Sequence, residues 1–177
     1  MFRRTLLTAA LAAAFAGSAS AATLHYTAHL TGRAEVPKTE SKGTGTFVAS
    51  YDTKTKQLSY TLTFQNLSGP ATAAHLHGPA TRKENAGVVA PLGGKNPTSP
   101  VSGTLTLTQD QANALRSHKL YVNVHTAANP AGEIRGQVMH ASRKKAASTA
   151  APPAASAPAD TTTAAPAAAA PAATTKP

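Results

Sequence analysis

The sequence predicts an all-β domain, an antiparallel β-sandwich or flattened barrel of about eight strands with one short helix. Three observations carry this reading. Over residues 22–140 the apolar side chains recur with a period of two rather than 3.6. Clusters of Gly, Pro, Asn, Asp and Ser interrupt that alternation at short intervals. The chain has no cysteine, so a hydrophobic core rather than disulfides must hold the fold.

The elements follow in order. Leu24, Tyr26, Ala28 and Leu30 alternate with Thr23, His25, Thr27 and His29, which makes a strand with one polar face. After the Lys42-Gly43 turn, Thr44–Tyr51 is a second candidate. Beyond the Asp52–Lys56 turn, Leu58, Tyr60, Leu62 and Phe64 alternate with Ser59, Thr61, Thr63 and Gln65. Ser68-Gly69-Pro70 then introduces Ala71–His77, and Gly87–Ala90 follows. The Leu92–Pro100 loop leads to Val101, Gly103, Leu105 and Leu107, an alternation with one phase defect. Thr108 and Gln111 form a capping box ahead of Ala112, Ala114 and Leu115. That places two to three helical turns between the sixth and seventh strands. Leu120, Val122 and Val124 alternate with Tyr121, Asn123 and His125, and after the Ala127–Gly132 turn Glu133–His140 closes the domain.

The ends of the chain read differently. Met1–Ala21 has a positive start at Arg3 and Arg4, a short apolar stretch and a small-residue Ala19-Ser20-Ala21 site. This is the pattern of a secretory signal peptide, so the mature protein is expected to be periplasmic or secreted. The Arg3-Arg4 pair leaves both the general and the twin-arginine export routes open. In Ala141–Pro177, 32 of 37 residues are Ala, Pro, Thr or Ser, the composition of a disordered tail. The 119 residues between carry 27 larger apolar side chains, enough for one thin core. The net charge of +10 spreads over all three regions, and the middle holds 11 bases and six acids. No stretch interleaves Lys/Arg with aromatics, so nucleic acid is not an expected partner. After signal cleavage no apolar run is long enough to span a membrane.

The residues that can carry chemistry are histidines. His75-Leu76-His77 lies on a candidate strand, where residues two apart leave the same face. Their imidazoles can converge on one ion while Leu76 points into the core. His125, on the polar phase near the end of another strand, is a third candidate ligand. Three neutral imidazoles with an open position suit copper or zinc, and without thiolates Cu(II) heads the affinity order. The plain alternative is a set of surface histidines bonded to loop carbonyls. His25 and His29 stand four apart on one strand, about 13 Å, and read as surface residues. His118 is expected at the helix C-terminus and His140 on the surface. The six carboxylates show no acid/base spacing, and neither a G-x-S-x-G elbow nor a phosphate loop is present. No catalytic residue is therefore assigned. Glu133 and Arg135 share a strand face; they can pair, or Arg135 can line the rim of the histidine site and attract an anion.

At these residues the sequence resembles the chordin-type (CHRD) domain family. The matching segments are Leu30-Thr31-Gly32-Arg33-Ala34-Glu35-Val36-Pro37, Ala74-His75-Leu76-His77-Gly78-Pro79, Gly87-Val88-Val89, Leu120-Tyr121-Val122-Asn123-Val124-His125-Thr126 and Gly132-Glu133-Ile134-Arg135-Gly136-Gln137. The family resemblance implies an exported domain, as in chordin, where such domains belong to an extracellular growth-factor antagonist. Lys38 stands where a second proline often follows Glu-Val-Pro. The pattern also has a distant similarity to copper-zinc superoxide dismutase, an eight-stranded Greek-key sandwich. That similarity implies His75, His77 and His125 as copper ligands and Arg135 as an anion-steering residue. No histidine lies between His77 and His118, so the bridging and zinc-site histidines are missing. Three functions follow as expectations. The first is a copper-binding exported protein, for buffering or a minimal redox site, with zinc as the alternative metal. The second is a non-catalytic interaction module without metal, with an envelope or protein partner. The third is a superoxide dismutase-like enzyme.

Overall fold

The computed structural model describes residues 22–142. The expected signal peptide over 1–21 and all but the first two residues of the expected tail lie outside them. The described residues form nine strands: β1 (Thr23–Thr31), β2 (Thr44–Asp52), β3 (Gln57–Gln65), β4 (Ala71–His77), β5 (Val88–Pro91), β6 (Val101–Thr106), β7 (Tyr121–Thr126), β8 (Ile134–Gln137) and β9 (Met139–His140). One helix, α1 (Gln109–Arg116), lies between β6 and β7.

All pairings are antiparallel and run in the order β5-β4-β7-β8-β1-β2-β3-β6, with β9 beside β1. The eight strands curl into a nearly closed barrel whose free edges are β5 and β6. Hairpins join β1 to β2, β2 to β3, β4 to β5 and β7 to β8, and longer connections carry the chain across the barrel in Greek-key fashion. The period-two pattern dictates the interior: Phe47, Leu58, Leu62, Leu76, Val122, Val124 and Ile134 are fully buried. Helix α1 packs Ala112 and Leu115 into this core. Its capping box forms as the sequence predicts, with the Thr108 hydroxyl accepting from the Gln111 N–H at 3.2 Å and the Gln111 side chain accepting from the Thr108 N–H at 2.9 Å.

Two details differ from the sequence expectation. The last strand is two strands, interrupted at Val138, whose N–H donates to the Leu120 carbonyl in continuation of the β7–β8 register before Met139–His140 pair with β1. More consequentially, the outward face of β7 and β8 is not solvated. Tyr121, Asn123, Glu133 and Arg135 are at most 3% exposed. The β1–β2 and β4–β5 connections fold over that face and are tied to each other by Asn85 Nδ2 donating to the Val36 carbonyl at 2.7 Å. The barrel therefore has an apolar interior and, outside it, a second buried layer that is polar.

Candidate metal centre

The site grows from the pleat of β4. His75 and His77 leave its outer face, while Leu76 between them is 0% exposed in the core. Strand β7 is the neighbour of β4, and its register sets Asn123 opposite His75 and His125 opposite Ala73. His125 is thus diagonal to His75, within reach of a long side chain. The outcome is a cluster: His75 Nδ1 lies 3.0 Å from His125 Nε2. One ring nitrogen from each of the three histidines lies within 4.8 Å of the others.

Backbone carbonyls orient two of the rings. His77 Nδ1 lies 3.0 Å from the Ala86 carbonyl, and His125 Nδ1 lies 3.0 Å from the Pro130 carbonyl. A carbonyl only accepts, so both Nδ1 atoms carry the proton; in the neutral rings each Nε2 keeps its lone pair, and that of His125 accepts from His75 Nδ1–H, whose proton a bound metal would replace. His77 Nε2 is buried and has no hydrogen-bond partner. A buried acceptor left unmatched is costly, and this one belongs to a ring clustered with two other imidazoles. Carbonyls that hold the far nitrogen of an imidazole are the usual support of a metal-binding histidine. The residues present fit a transition-metal ion.

Electrostatics agree with that use. Burial lowers the pKa of all three histidines, and at His75 the neighbouring His125 and His77 lower it further. The carbonyls of Ala86 and Pro130 oppose the shift at His77 and His125 without reversing it. The rings are therefore neutral near pH 7, the form that binds a metal.

The wall behind His77 is aromatic and cationic. The Tyr121 ring stacks on His77 at 4.9 Å and 8°, and the Arg135 guanidinium lies 3.5 Å from the centroid of the Tyr121 ring. Tyr121 also donates its hydroxyl to the Ala86 carbonyl and accepts from the Ala86 N–H, so it steadies the same carbonyl that orients His77.

Arg135 does not sit on an open rim. It is 1% exposed, and its guanidinium donates to Asn85 Oδ1 and to the carbonyls of Thr81 and Glu84 at 2.8–3.0 Å. The β4–β5 loop encloses it, which removes it from the anion-steering position expected from the sequence. Its pairing with Glu133 is also absent. Glu133 instead accepts from the Ser41 hydroxyl, the Ser68 N–H and hydroxyl and the Thr126 hydroxyl, at 2.5–2.7 Å. The other histidines stay apart from the cluster. His25 and His29 are exposed. His118 caps the helix through its backbone N–H, while its ring meets His140 edge to face at 4.9 Å.

Sequence reasoning found the three imidazoles and missed what holds them. Ala86 and Pro130 act through carbonyls, which every residue has, so no residue type announces them. Tyr121 reads only as a polar-phase position. The turn cluster Ala127–Gly132 was the one signal that a loop would lie beside His125.

The family model described as the CHRD domain matches residues 26–138, nearly the whole barrel and all three histidines. No curated protein and no solved structure matches the chain significantly.

Proposed function

The chain belongs to the CHRD-domain family, and from this premise we propose that it is an exported protein that binds one copper ion through His75 Nδ1, His77 Nε2 and His125 Nε2. The observation that carries the reading is the buried, unpartnered Nε2 of His77, on a ring clustered with His75 and His125, while its Nδ1 is held by a carbonyl. A donor set of imidazoles alone suits copper and zinc, and Cu(II) stands above Zn(II) in the affinity order. The Arg3-Arg4 start and the Ala19-Ser20-Ala21 site support export to the periplasm or beyond.

Bound copper would supply either storage of the ion or one-electron chemistry at an open coordination position. The chain's own residues would do the rest. Ala86 and Pro130 hold the tautomers, Tyr121 buttresses His77, and the low histidine pKa values keep the ligands unprotonated. Buffering is favoured over dismutation, because the cation nearest the site, Arg135, is enclosed rather than offered to an incoming anion.

Calorimetry with Cu(II) and Zn(II), with electron paramagnetic resonance on the copper sample, tests the reading. One-to-one Cu(II) binding with nitrogen hyperfine structure is expected, and its loss in His75→Ala/His77→Ala. Only weak copper binding, indifferent to that double substitution, would overturn the site and leave an interaction module without a metal.

A further inference from the structure

Away from the histidines, a cleft of about 760 Å³ opens over the outer face of β1 and β8, between the β1–β2 and β4–β5 connections. Its size is that of a small-molecule site rather than of a polymer track. Its walls are largely apolar, including Ala34, Val36, Pro37 and Met139. Arg33 and Lys38 stand on one lip and Arg82 and Lys83 on the other, and all four are exposed.

The floor adds an unusual charge. Arg135 lines the cleft and is 1% exposed, yet it forms no ion pair among the described residues; its hydrogen bonds go to two carbonyls and an amide. Burying a cation is costly unless an anion compensates it. The acid acting on it is Glu35, also in the cleft wall, and burial pushes the Glu35 carboxyl up to about 7, with Arg135 opposing. At neutral pH that carboxyl compensates the cation only in part. Four exposed cations thus stand on the lips of an apolar cleft, above a buried Arg135 and one incompletely ionised acid.

We propose that this cleft binds a small amphiphilic carboxylate, its apolar body against Val36 and Met139 and its carboxylate among the cationic lips. Guanidinium and ammonium groups recognise carboxylates, and a cleft lined with one sign of charge concentrates anions.

The test uses octanoate as probe, with 1-octanol and inorganic phosphate as comparisons, on the full chain carrying ¹³C-methyl methionine. The chain has two methionines, Met1 and Met139, so a shift of the Met139 methyl places binding in the cleft. Saturable one-site octanoate binding that moves Met139 is expected. Arg82→Glu/Lys83→Glu is expected to weaken it at least tenfold, and Lys38→Glu on the opposite lip to weaken it in the same direction. These side chains are exposed, so both variants keep the fold, which circular dichroism checks. Octanol binding as tightly as octanoate, phosphate binding as tightly as octanoate, indifference to both charge reversals, or no Met139 shift would each overturn the proposal.

Discussion

Glu133 shows how a buried carboxylate can stabilise this fold. It is 0% exposed, and although burial alone raises its pKa, the donors Ser41, Ser68 and Thr126 outweigh that and hold it at about 2. Glu133→Gln puts an amide donor among hydroxyls and an N–H that already donate, and should cost about 2–4 kcal/mol in urea unfolding. The folded pKa is below the unfolded one, so this stabilisation is present above about pH 4.5 and fades as pH falls towards 2. Glu35 has the opposite sign. Its folded pKa of about 7 exceeds its unfolded value, so its contribution is largest below pH 4.5 and declines as pH rises through 7. Glu35→Gln keeps a group that can accept from Asn123 Nδ2 and removes the ionisation. The variant should therefore gain stability relative to the parent between pH 6 and 8, read as a narrowing or reversal of the Tm gap. A gap independent of pH would mean that Glu35 titrates normally. Neither behaviour was legible in the sequence, where Glu133 reads as a surface partner for Arg135. Burial of both residues depends on loops that arrive from 90 or so residues away.

At the scale of elements, the sequence is informative where a rule is local. The His75-Leu76-His77 alternation dictates that two imidazoles share a face, and Thr108 with Gln111 dictates where α1 begins. Thr108→Ala should cost about 1 kcal/mol, because it removes one cap of a two-turn helix and leaves the Gln111 N–H without that acceptor. Strand adjacency has no such signal. That β7 lies beside β4, bringing His125 to His75 across fifty residues, depends on the Greek-key crossing rather than on any spacing. The polar outer layer was equally hidden, since alternation marks Tyr121, Asn123 and Arg135 as outward but cannot say that loops cover them. Gly132 is where that cover is tightest. Its φ is +140°, and a Cβ there would run into the Asn123 amide and the Glu35 carboxylate. Gly132→Ala should cost at least about 1–3 kcal/mol from the backbone conformation alone. It should also displace Asn123, which adjoins the histidine-bearing face of β7, so metal affinity should fall with stability. Unchanged Cu(II) affinity in a destabilised Gly132→Ala chain would separate the cover from the site.

For the whole molecule, metal binding and folding are linked through the topology. His75 and His77 remain close in an unfolded chain, but His125 joins them only when β4 and β7 pair. The complete site therefore belongs to the folded state, and an ion that uses it must raise stability by mass action. At a free Cu(II) concentration of 100 times Kd the gain is about 2.7 kcal/mol, roughly a 10 °C rise in Tm for a domain of this size. His125→Ala leaves only the pair that the unfolded chain also offers, so most of that rise should vanish even if some copper still binds. The pH dependence has a definite sign. The folded histidine pKa values are lowered, so the unfolded chain takes up protons first as pH falls below about 6.5, and the metal-free barrel itself weakens there. Copper must in addition displace protons from the same rings, so its stabilising increment shrinks over the same range. The difference in Tm with and without Cu(II), measured at pH 7.5 and again at 5.5, should therefore narrow sharply in the parent and be small at both values in His125→Ala. An increment equal at the two pH values, or one that survives His125→Ala intact, would put the ion on groups other than these three imidazoles.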